Sequence, residues 1–450
     1  MRVLLYTVVI FLYMVSQFVP NLYLSYAIGV CAVVAVAVSA KYASGLHRIS
    51  GFVFLTLGIA LFLANGLPWH TFFLHFQSML GLLSLFLVLP FIHSLVRIGR
   101  YDQSLSQLLQ DRVTRLQSLY KRSFLVCHFL GVFLNIATLP LLTKSLQPSL
   151  QMLSKPEADK FLGKNLLRAY ALCLMWSPME VLVSASIDIT GAAYILIAPV
   201  VIIVVVLSVL LDFAISRFHY QAIPVTMDMP GEINIRHVYK KVARMLGMLA
   251  LFVVLVSLVQ YTLDSGFLFS VVLLLVPFSL VWAVSLGKTK SYLTVAIPQW
   301  IERSKGLANY FFMFLSAGMF VEILSLSGLL SFLEPVFLTA SETPLVLYLL
   351  IGFYFLSTSL VGFHPMVSLT FMAEFLLPVL PHVAALPLAV VLIVCGLASV
   401  MYSPFNLSVS ILANELRINP YRIAGWNVGY AVLCMLIGIG AACTLDLLFW

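Results

Sequence analysis

Thirteen long apolar runs follow one another along the chain, and they limit the possible folds more than any other feature. A helix that spans a bilayer needs about 20 consecutive apolar residues. The runs therefore predict an all-α polytopic membrane protein. They cover approximately residues 3–20, 22–40, 50–64, 72–96, 123–143, 165–190, 192–211, 245–263, 266–286, 306–330, 344–376, 384–416 and 423–446.

The composition agrees with this prediction. Hydrophobic residues make up 62% of the 450 residues and charged residues only 9%, whereas a soluble domain is about 25% charged. This excludes a soluble enzyme, a nucleic-acid-binding module and a disordered protein. The six cysteines lie in or beside apolar runs without a CxxC or Cys/His cluster, so we expect no disulfide and no metal site.

The distribution of positive charge predicts the topology, because Lys and Arg collect in cytoplasmic loops. If runs 123–143 and 344–376 are re-entrant hairpins, about eleven runs cross the membrane. The N-terminus is then inside, the C-terminus outside, and all 25 Lys and Arg residues lie at the cytoplasmic side. If 123–143 instead spanned, the segment with Lys155, Lys160 and Lys164 would face outward. We therefore expect a multi-pass protein of the cytoplasmic (inner) membrane.

Two ten-residue segments reveal an internal repeat with an offset of 226 residues. Residues 175–184 read MWSPMEVLVS and residues 401–410 read MYSPFNLSVS. In each half, a hairpin-like run precedes a helix that is interrupted at Ser-Pro. The predicted topology gives the halves opposite orientations, and inverted repeats with broken helices are typical of secondary transporters. We assign an N-terminal repeat to 1–211, with its broken helix at 165–190. A cytoplasmic linker follows at 212–244, and a C-terminal repeat at 245–450, with its broken helix at 384–416.

The Ser-Pro pairs predict a binding site at the breaks. Pro178 and Pro404 each remove a backbone N–H group and free carbonyls of the preceding turn. The N-terminal end of the following half-helix carries a partial positive charge that suits an anion, whereas the freed carbonyls suit Na⁺ or a proton relay. Ser177 and Ser403 are placed to cap the half-helices or contact a ligand.

Polar residues at membrane depth are candidates for function because burying them in lipid is costly. We expect Asn135, Thr138 and His364 at the hairpin tips to join Ser177, Ser403 and Asn406 in binding substrate. Glu180 is the leading candidate to hold the coupling ion or proton, with an ion pair to Lys144 as the alternative. Asp188 is a second candidate, although a place near the outer interface would make it structural. Packing or interfacial roles are expected for His75, His93, His128, Glu322 and Glu374.

Two amphipathic segments, 104–120 and 289–303, have apolar residues at helical spacing opposite a polar face. Such helices lie in the membrane interface. They are either ordinary anchored loops or horizontal arms between a moving domain and a static scaffold.

The paired hairpins, broken helices and arms resemble those of the ion transporter superfamily. That group holds the divalent anion–sodium symporters, the citrate, gluconate and arsenite permeases and the membrane subunits of TRAP transporters. Asn135 and Thr138 approach the Ser-Asn-Thr motif at the hairpin tips of the symporters, whereas the second hairpin has Gly362-Phe363-His364-Pro365 instead. The resemblance implies a homodimer and an elevator-type motion.

The sequence thus predicts a secondary transporter of a small anionic solute, coupled to H⁺ or Na⁺, without an enzymatic activity, a cofactor or a nucleic-acid partner. Two alternatives remain open. One is an intramembrane enzyme of envelope assembly, such as a glycan polymerase, a ligase or an acyltransferase. The other is a membrane subunit that needs partner proteins.

Overall fold

The computed structural model describes residues 2–101, 105, 109, 115–220 and 235–449. Nineteen α-helices occupy most of these residues, joined by turns and short 3₁₀ segments, and the prediction of an all-α membrane protein is confirmed. The helices are α1 Arg2–Ser16, α2 Leu22–Ala40, α3 Gly45–Ala64, α4 Leu80–Ile98, α5 Leu116–Leu134, α6 Thr138–Leu146, α7 Lys155–Leu174, α8 Val181–Thr190, α9 Tyr194–Tyr220, α10 Ile235–Leu263, α11 Phe267–Ser285, α12 Thr289–Gly306, α13 Ala308–Leu326, α14 Glu334–Ser341, α15 Pro344–Val361, α16 Pro365–Leu376, α17 Ala385–Ala398, α18 Leu407–Leu416 and α19 Pro420–Phe449.

Ten helical segments in the described part of the chain are long and apolar enough to cross a membrane. They include α15, the first arm of the second predicted hairpin, which has 18 residues. The first predicted hairpin is included whole, as the single 35-residue segment Leu116–Leu150. The two broken helices are not, because α8, α17 and α18 are too short and α7, although it has 20 residues, carries too many charged residues.

The first helical hairpin is longer than the sequence indicated. It begins at Leu116 rather than at residue 123, because Leu116, Leu119 and Tyr120 are buried and continue the packed face of α5 beyond its apolar run. Residues 116–120 therefore belong to the hairpin and not to an interfacial arm. The rest of that predicted arm, apart from Leu105, Leu109 and Arg115, lies outside the described residues.

Other predicted boundaries also differ from the observed ones. The first broken helix begins at Lys155 instead of 165, where Ser154 and Glu157 form a capping box. The second predicted arm is helix α12. Helices α9 and α10 extend into the predicted linker as far as Tyr220 and from Ile235.

The chain forms two compact units, and each draws segments from both halves of the sequence. The first unit holds residues 1–95, 259–339 and 370–379. Its closest helix pair is α3 against α13, where Gly51 faces the ring of Phe312 and Gly58 faces Met319. Small residues allow this close approach, as is usual between helices in membranes.

The second unit holds residues 96–258, 340–369 and 380–450, and it contains both broken helices. Helices α5 and α7 pack together, as do α17 and α19. The half-helix α8 packs against α17, and the half-helix α18 packs against α6 and α7. Each second half-helix thus lies beside the first half-helix of the other repeat, which is the arrangement of two broken helices that run antiparallel.

Candidate functional site

The two helix breaks share a backbone hydrogen bond. The Glu180 N–H donates to the Ser177 carbonyl at 3.1 Å, and the Asn406 N–H donates to the Ser403 carbonyl at 3.0 Å. Glu180 and Asn406 are the N-cap residues of α8 and α18, both with extended backbone. The matching letters in the sequence therefore correspond to matching local structures.

A serine one turn into each half-helix reaches back to the proline of the break. The Ser184 hydroxyl lies 3.5 Å from the Pro178 carbonyl, and the Ser410 hydroxyl lies 3.4 Å from the Pro404 carbonyl. Since proline cannot donate a backbone hydrogen bond and opens the helix at this point, these serines partly satisfy carbonyls that the break has freed.

The N-terminal ends of the two half-helices differ in charge. The Asn406 side chain accepts hydrogen bonds from the Ser408 N–H at 3.0 Å and from its hydroxyl at 2.8 Å. At the equivalent end of α8, the half-buried Glu180 places its carboxylate near the N–H groups of Val181 and Leu182. The first repeat therefore presents an ionisable group where the second presents a neutral amide.

The aromatic residue of each motif connects the break to the first arm of its own hairpin. Trp176 Nε1 donates to His128 Nε2 at 3.0 Å, whereas the Tyr402 and Ser359 hydroxyls are 2.6 Å apart. An indole N–H can only donate, so His128 must accept at Nε2 and keep its proton on Nδ1, which faces the Ala169 carbonyl at 3.3 Å. His128 is thereby held as the neutral imidazole.

The turn of the first hairpin lies at Asn135, which has a positive φ of 50°. Its side-chain oxygen accepts from the Ile136 N–H at 2.7 Å and from the hydroxyl of Tyr170 on α7. Thr138 begins the second arm, and its fully buried hydroxyl has no hydrogen-bond partner among the described residues. A buried unpartnered hydroxyl is costly, so Thr138 is suited to contact a ligand.

The turn of the second hairpin lies at Gly362, with a φ of 113° that other residues rarely adopt. The half-buried ring of His364 accepts the Met366 N–H at 3.3 Å through Nδ1. A Cβ atom at Gly362 would lie 3.4 Å from the ring of Phe405 in the second break. The Ser403 hydroxyl also donates to the Ser359 carbonyl on α15 at 2.7 Å, so this break is fixed against its hairpin.

The structure thus places the predicted substrate-binding residues at the hairpin turns and helix breaks of the second unit. Asp188 stands apart from them. It is exposed near the end of α8, eight residues after Glu180, which is about 12 Å along a helix.

The sequence analysis missed a buried ion pair in the same unit. Arg168 donates to Asp212 at 2.5 Å, to the Asn427 side-chain oxygen at 3.0 Å and to the Trp426 carbonyl at 3.0 Å. The Tyr120 hydroxyl donates to the other oxygen of Asp212 at 2.8 Å. The sequence analysis counts Arg168 among the charges of the cytoplasmic side. Its position inside the apolar run 165–190 was the signal that it is buried.

In the first unit, His75 and Glu322 form a second pair that we had expected to be packing or interfacial residues. His75 Nδ1 lies 2.8 Å from a Glu322 oxygen, and the imidazole is buried. No group of three or more His, Cys, Asp or Glu side chains suited to hold a metal ion occurs among the described residues.

Comparison with known proteins identifies the fold. The structure is similar to the crystal structure of the YdaH transporter of Alcanivorax borkumensis, with a TM-score of 0.61 and 13% sequence identity over 90% of this chain and 98% of that chain. The chain has the fold of a polytopic helical transporter. The sequence itself matches no family model and no curated protein.

Proposed function

We propose that this chain is a secondary active transporter that moves a small anionic solute across the cytoplasmic membrane by alternating access. The observation that carries the proposal is the pair of antiparallel broken helices in one unit, with an equivalent backbone hydrogen bond at each break. Each break exposes the N-terminal end of a half-helix, and such ends bind anionic groups of substrates in transporters. The fold shared with a solved transporter supports the same function rather than catalysis.

The proposed substrate site lies between the hairpin turns and the breaks. Its neutral polar groups donate hydrogen bonds to the anion and add no negative charge of their own. The buried hydroxyl of Thr138 supports this assignment, because a ligand would supply its missing partner. The proposed site comprises Asn135, Thr138, Ser177, His364, Ser403 and Asn406.

Glu180 is the proposed coupling residue. When ionised, its carboxylate occupies the space near the N–H groups of Val181 and Leu182 and repels an anion. Binding of H⁺ or Na⁺ cancels this charge and makes the end of α8 available to the substrate. The anion therefore binds only when Glu180 carries H⁺ or Na⁺, and the two solutes cross the membrane together. This scheme assigns no coupling role to Asp188.

The predicted topology remains part of the proposal, with the N-terminus inside and the two hairpins re-entrant. It can be tested with a single cysteine at Met152, which is 51% exposed, introduced into a chain without other cysteines. An impermeant thiol reagent added outside intact cells should leave this cysteine unlabelled. Labelling from outside would mean that the first hairpin spans the membrane. Chemical cross-linking in the membrane would test the homodimer.

Uptake into proteoliposomes tests the transport function. Radiolabelled succinate, citrate, gluconate and sulfate would be offered under an imposed pH gradient or an imposed Na⁺ gradient. We expect one gradient to drive accumulation of at least one anion. If neither drives accumulation of any anion, the proposal of anion-coupled secondary transport is wrong.

The variant Glu180→Gln tests the coupling mechanism. Since a neutral side chain mimics the ion-bound state, this variant should exchange the anion across the membrane but fail to accumulate it against a gradient. The comparison variant Asp188→Asn should accumulate the anion as the wild type does. Normal accumulation by Glu180→Gln would remove Glu180 from the mechanism, and its loss in Asp188→Asn would transfer the role to that residue.

A further inference from the structure

A pocket of about 350 Å³ lies in the second unit, where the end of α6, the beginning of α7 and the end of α18 meet. Its walls therefore come from both repeats of the chain. Six of its lining residues are polar or charged: Gln147, Gln151, Lys155, Asp159, Glu415 and Arg417. On the proposed topology this pocket opens toward the cytoplasm.

The charged residues around this pocket form no close ion pair within the described part of the chain. No ion pair within 4 Å and no side-chain hydrogen bond joins any of its four charged residues to another group in the described part of the chain. Asp159 is only 7% exposed, and no hydrogen bond or ion pair to its carboxylate occurs among the described residues. Burial raises the pKa of this carboxyl, and the positive charges of Lys155 and Arg422 act against that shift. An unpaired buried charge is costly, and a ligand with a positive group would compensate for it.

The pocket offers both signs of charge. Asp159 and Glu415 suit an ammonium group, whereas Lys155 and Arg417 suit a carboxylate. A simple anion would satisfy only the two basic residues and leave the buried Asp159 without a partner. The volume is at the lower end of the range for small-molecule sites, which is about 300–1,000 Å³, and this favours a ligand no larger than a single amino acid.

We propose that this pocket binds a small zwitterion of the amino-acid type, with its ammonium group at Asp159 and Glu415 and its carboxylate at Lys155 and Arg417. The amides of Gln147 and Gln151 supply further hydrogen bonds. The bound zwitterion connects α7 of the first repeat to α18 of the second repeat, at the ends of these helices that lie away from the breaks. This site is separate from the proposed transport site and does not depend on the identity of the transported solute.

Isothermal titration calorimetry on the purified full-length chain in lipid nanodiscs tests this proposal. The probes are glycine, alanine and glutamine as zwitterions, with acetate and methylammonium as ligands of a single charge. We expect saturable binding of at least one zwitterion, with a Kd at least about tenfold lower than that of either singly charged probe. Because binding is measured without a gradient, the result is independent of the transport assay.

Two variants locate the binding. Asp159→Asn is nearly isosteric, and Arg417→Asn keeps a residue that tolerates the left-handed backbone of this position, which has a φ of 57°. Each should raise the Kd at least about tenfold, since each removes a charged hydrogen-bonding group. The matched control Lys160→Gln changes an exposed charge on α7 that does not line the pocket, and should leave the Kd unchanged. Thermal unfolding of each variant verifies that it is folded.

The proposal is overturned if no zwitterion binds saturably, or if acetate or methylammonium binds as tightly. It is also overturned if folded Asp159→Asn and Arg417→Asn bind with the wild-type Kd. Loss of zwitterion binding with anion transport intact would confirm that the two sites are separate.

Discussion

Replacing Asp212 with Asn should destabilise the protein strongly. Arg168 is 4% exposed and Asp212 is fully buried, so neither can turn to water when its partner is lost. The variant keeps a neutral oxygen near Arg168 but removes the negative charge, and it leaves the guanidinium buried without a counter-ion. Breaking a buried pair in this way costs about 3–5 kcal/mol. The hydrogen bonds from Arg168 to Asn427 and Trp426 do not supply the missing charge.

The assay is thermal unfolding of the detergent-solubilised full-length chain, followed by intrinsic tryptophan fluorescence. We expect the unfolding midpoint to fall by roughly 3–10 °C, because 1 kcal/mol corresponds to about 2–4 °C in chains of 150–250 residues and to less in a longer chain. The matched control is Glu302→Gln, which removes the exposed 3.2 Å pair with Lys305. Exposed pairs contribute about 0–1 kcal/mol, so the midpoint of this control should hardly change.

A double variant distinguishes the contribution of the ion pair to stability from the cost of leaving one buried charge without its partner. Arg168→Met with Asp212→Leu removes both charges together, and replacing a buried pair by apolar groups is often neutral or stabilising. It should therefore recover at least half of the midpoint lost in Asp212→Asn. The reasoning fails if Asp212→Asn lowers the midpoint no more than Glu302→Gln does, or if the double variant is the least stable of the three.

Two further predictions concern the hairpins and breaks. Gly362→Ala should lower the free energy of unfolding by about 1–3 kcal/mol, because a φ of 113° is strained for any residue with a Cβ. Its unfolding midpoint should be compared with that of Gly425→Ala, where a Cβ on the helix meets open space. Equal midpoints would contradict the strain. His128→Leu should lower the free energy of unfolding by about 1–3 kcal/mol, because it removes the acceptor of the part-buried Trp176 indole N–H. His128→Gln restores an acceptor and should recover part of the lost unfolding midpoint. Equal midpoints for the two variants would show that this hydrogen bond does not stabilise the protein.

Local features of the fold could be predicted from the sequence because they depend on residues close together in the chain. A proline alone does not mark a break, since Pro90 and Pro199 lie inside continuous helices. The repeated Ser-Pro pair predicted the breaks at Pro178 and Pro404, and helices α7 and α17 end before them. The matching segments 175–184 and 401–410 then showed that both breaks share one local structure. The segment Gly362-Phe363-His364-Pro365, expected at the tip of the second hairpin, contains the observed turn, where Gly362 has a positive φ.

Features that depend on distant partners could not be predicted in the same way. Nothing in the sequence next to Arg168 indicates that Asp212 and Asn427 complete its surroundings, because these residues are 44 and 259 positions away. The contact between His75 and Glu322, which are 247 residues apart, was not predicted for the same reason. The division into units also needs contacts across the chain, since each unit combines segments from both repeats.

The partners that surround the buried Arg168 are synthesised at different times. Chains are synthesised at about 5–20 residues per second, so Asp212 emerges roughly 2–9 s after Arg168, whereas Asn427 follows Arg168 by 259 residues and emerges roughly 13–50 s later. An arginine at the centre of a helix costs about 2.5–3.5 kcal/mol to insert into the membrane. The guanidinium of Arg168 can therefore pair with Asp212 once α9 is inserted, whereas its hydrogen bonds to Asn427 and the Trp426 carbonyl form only after α19 is inserted.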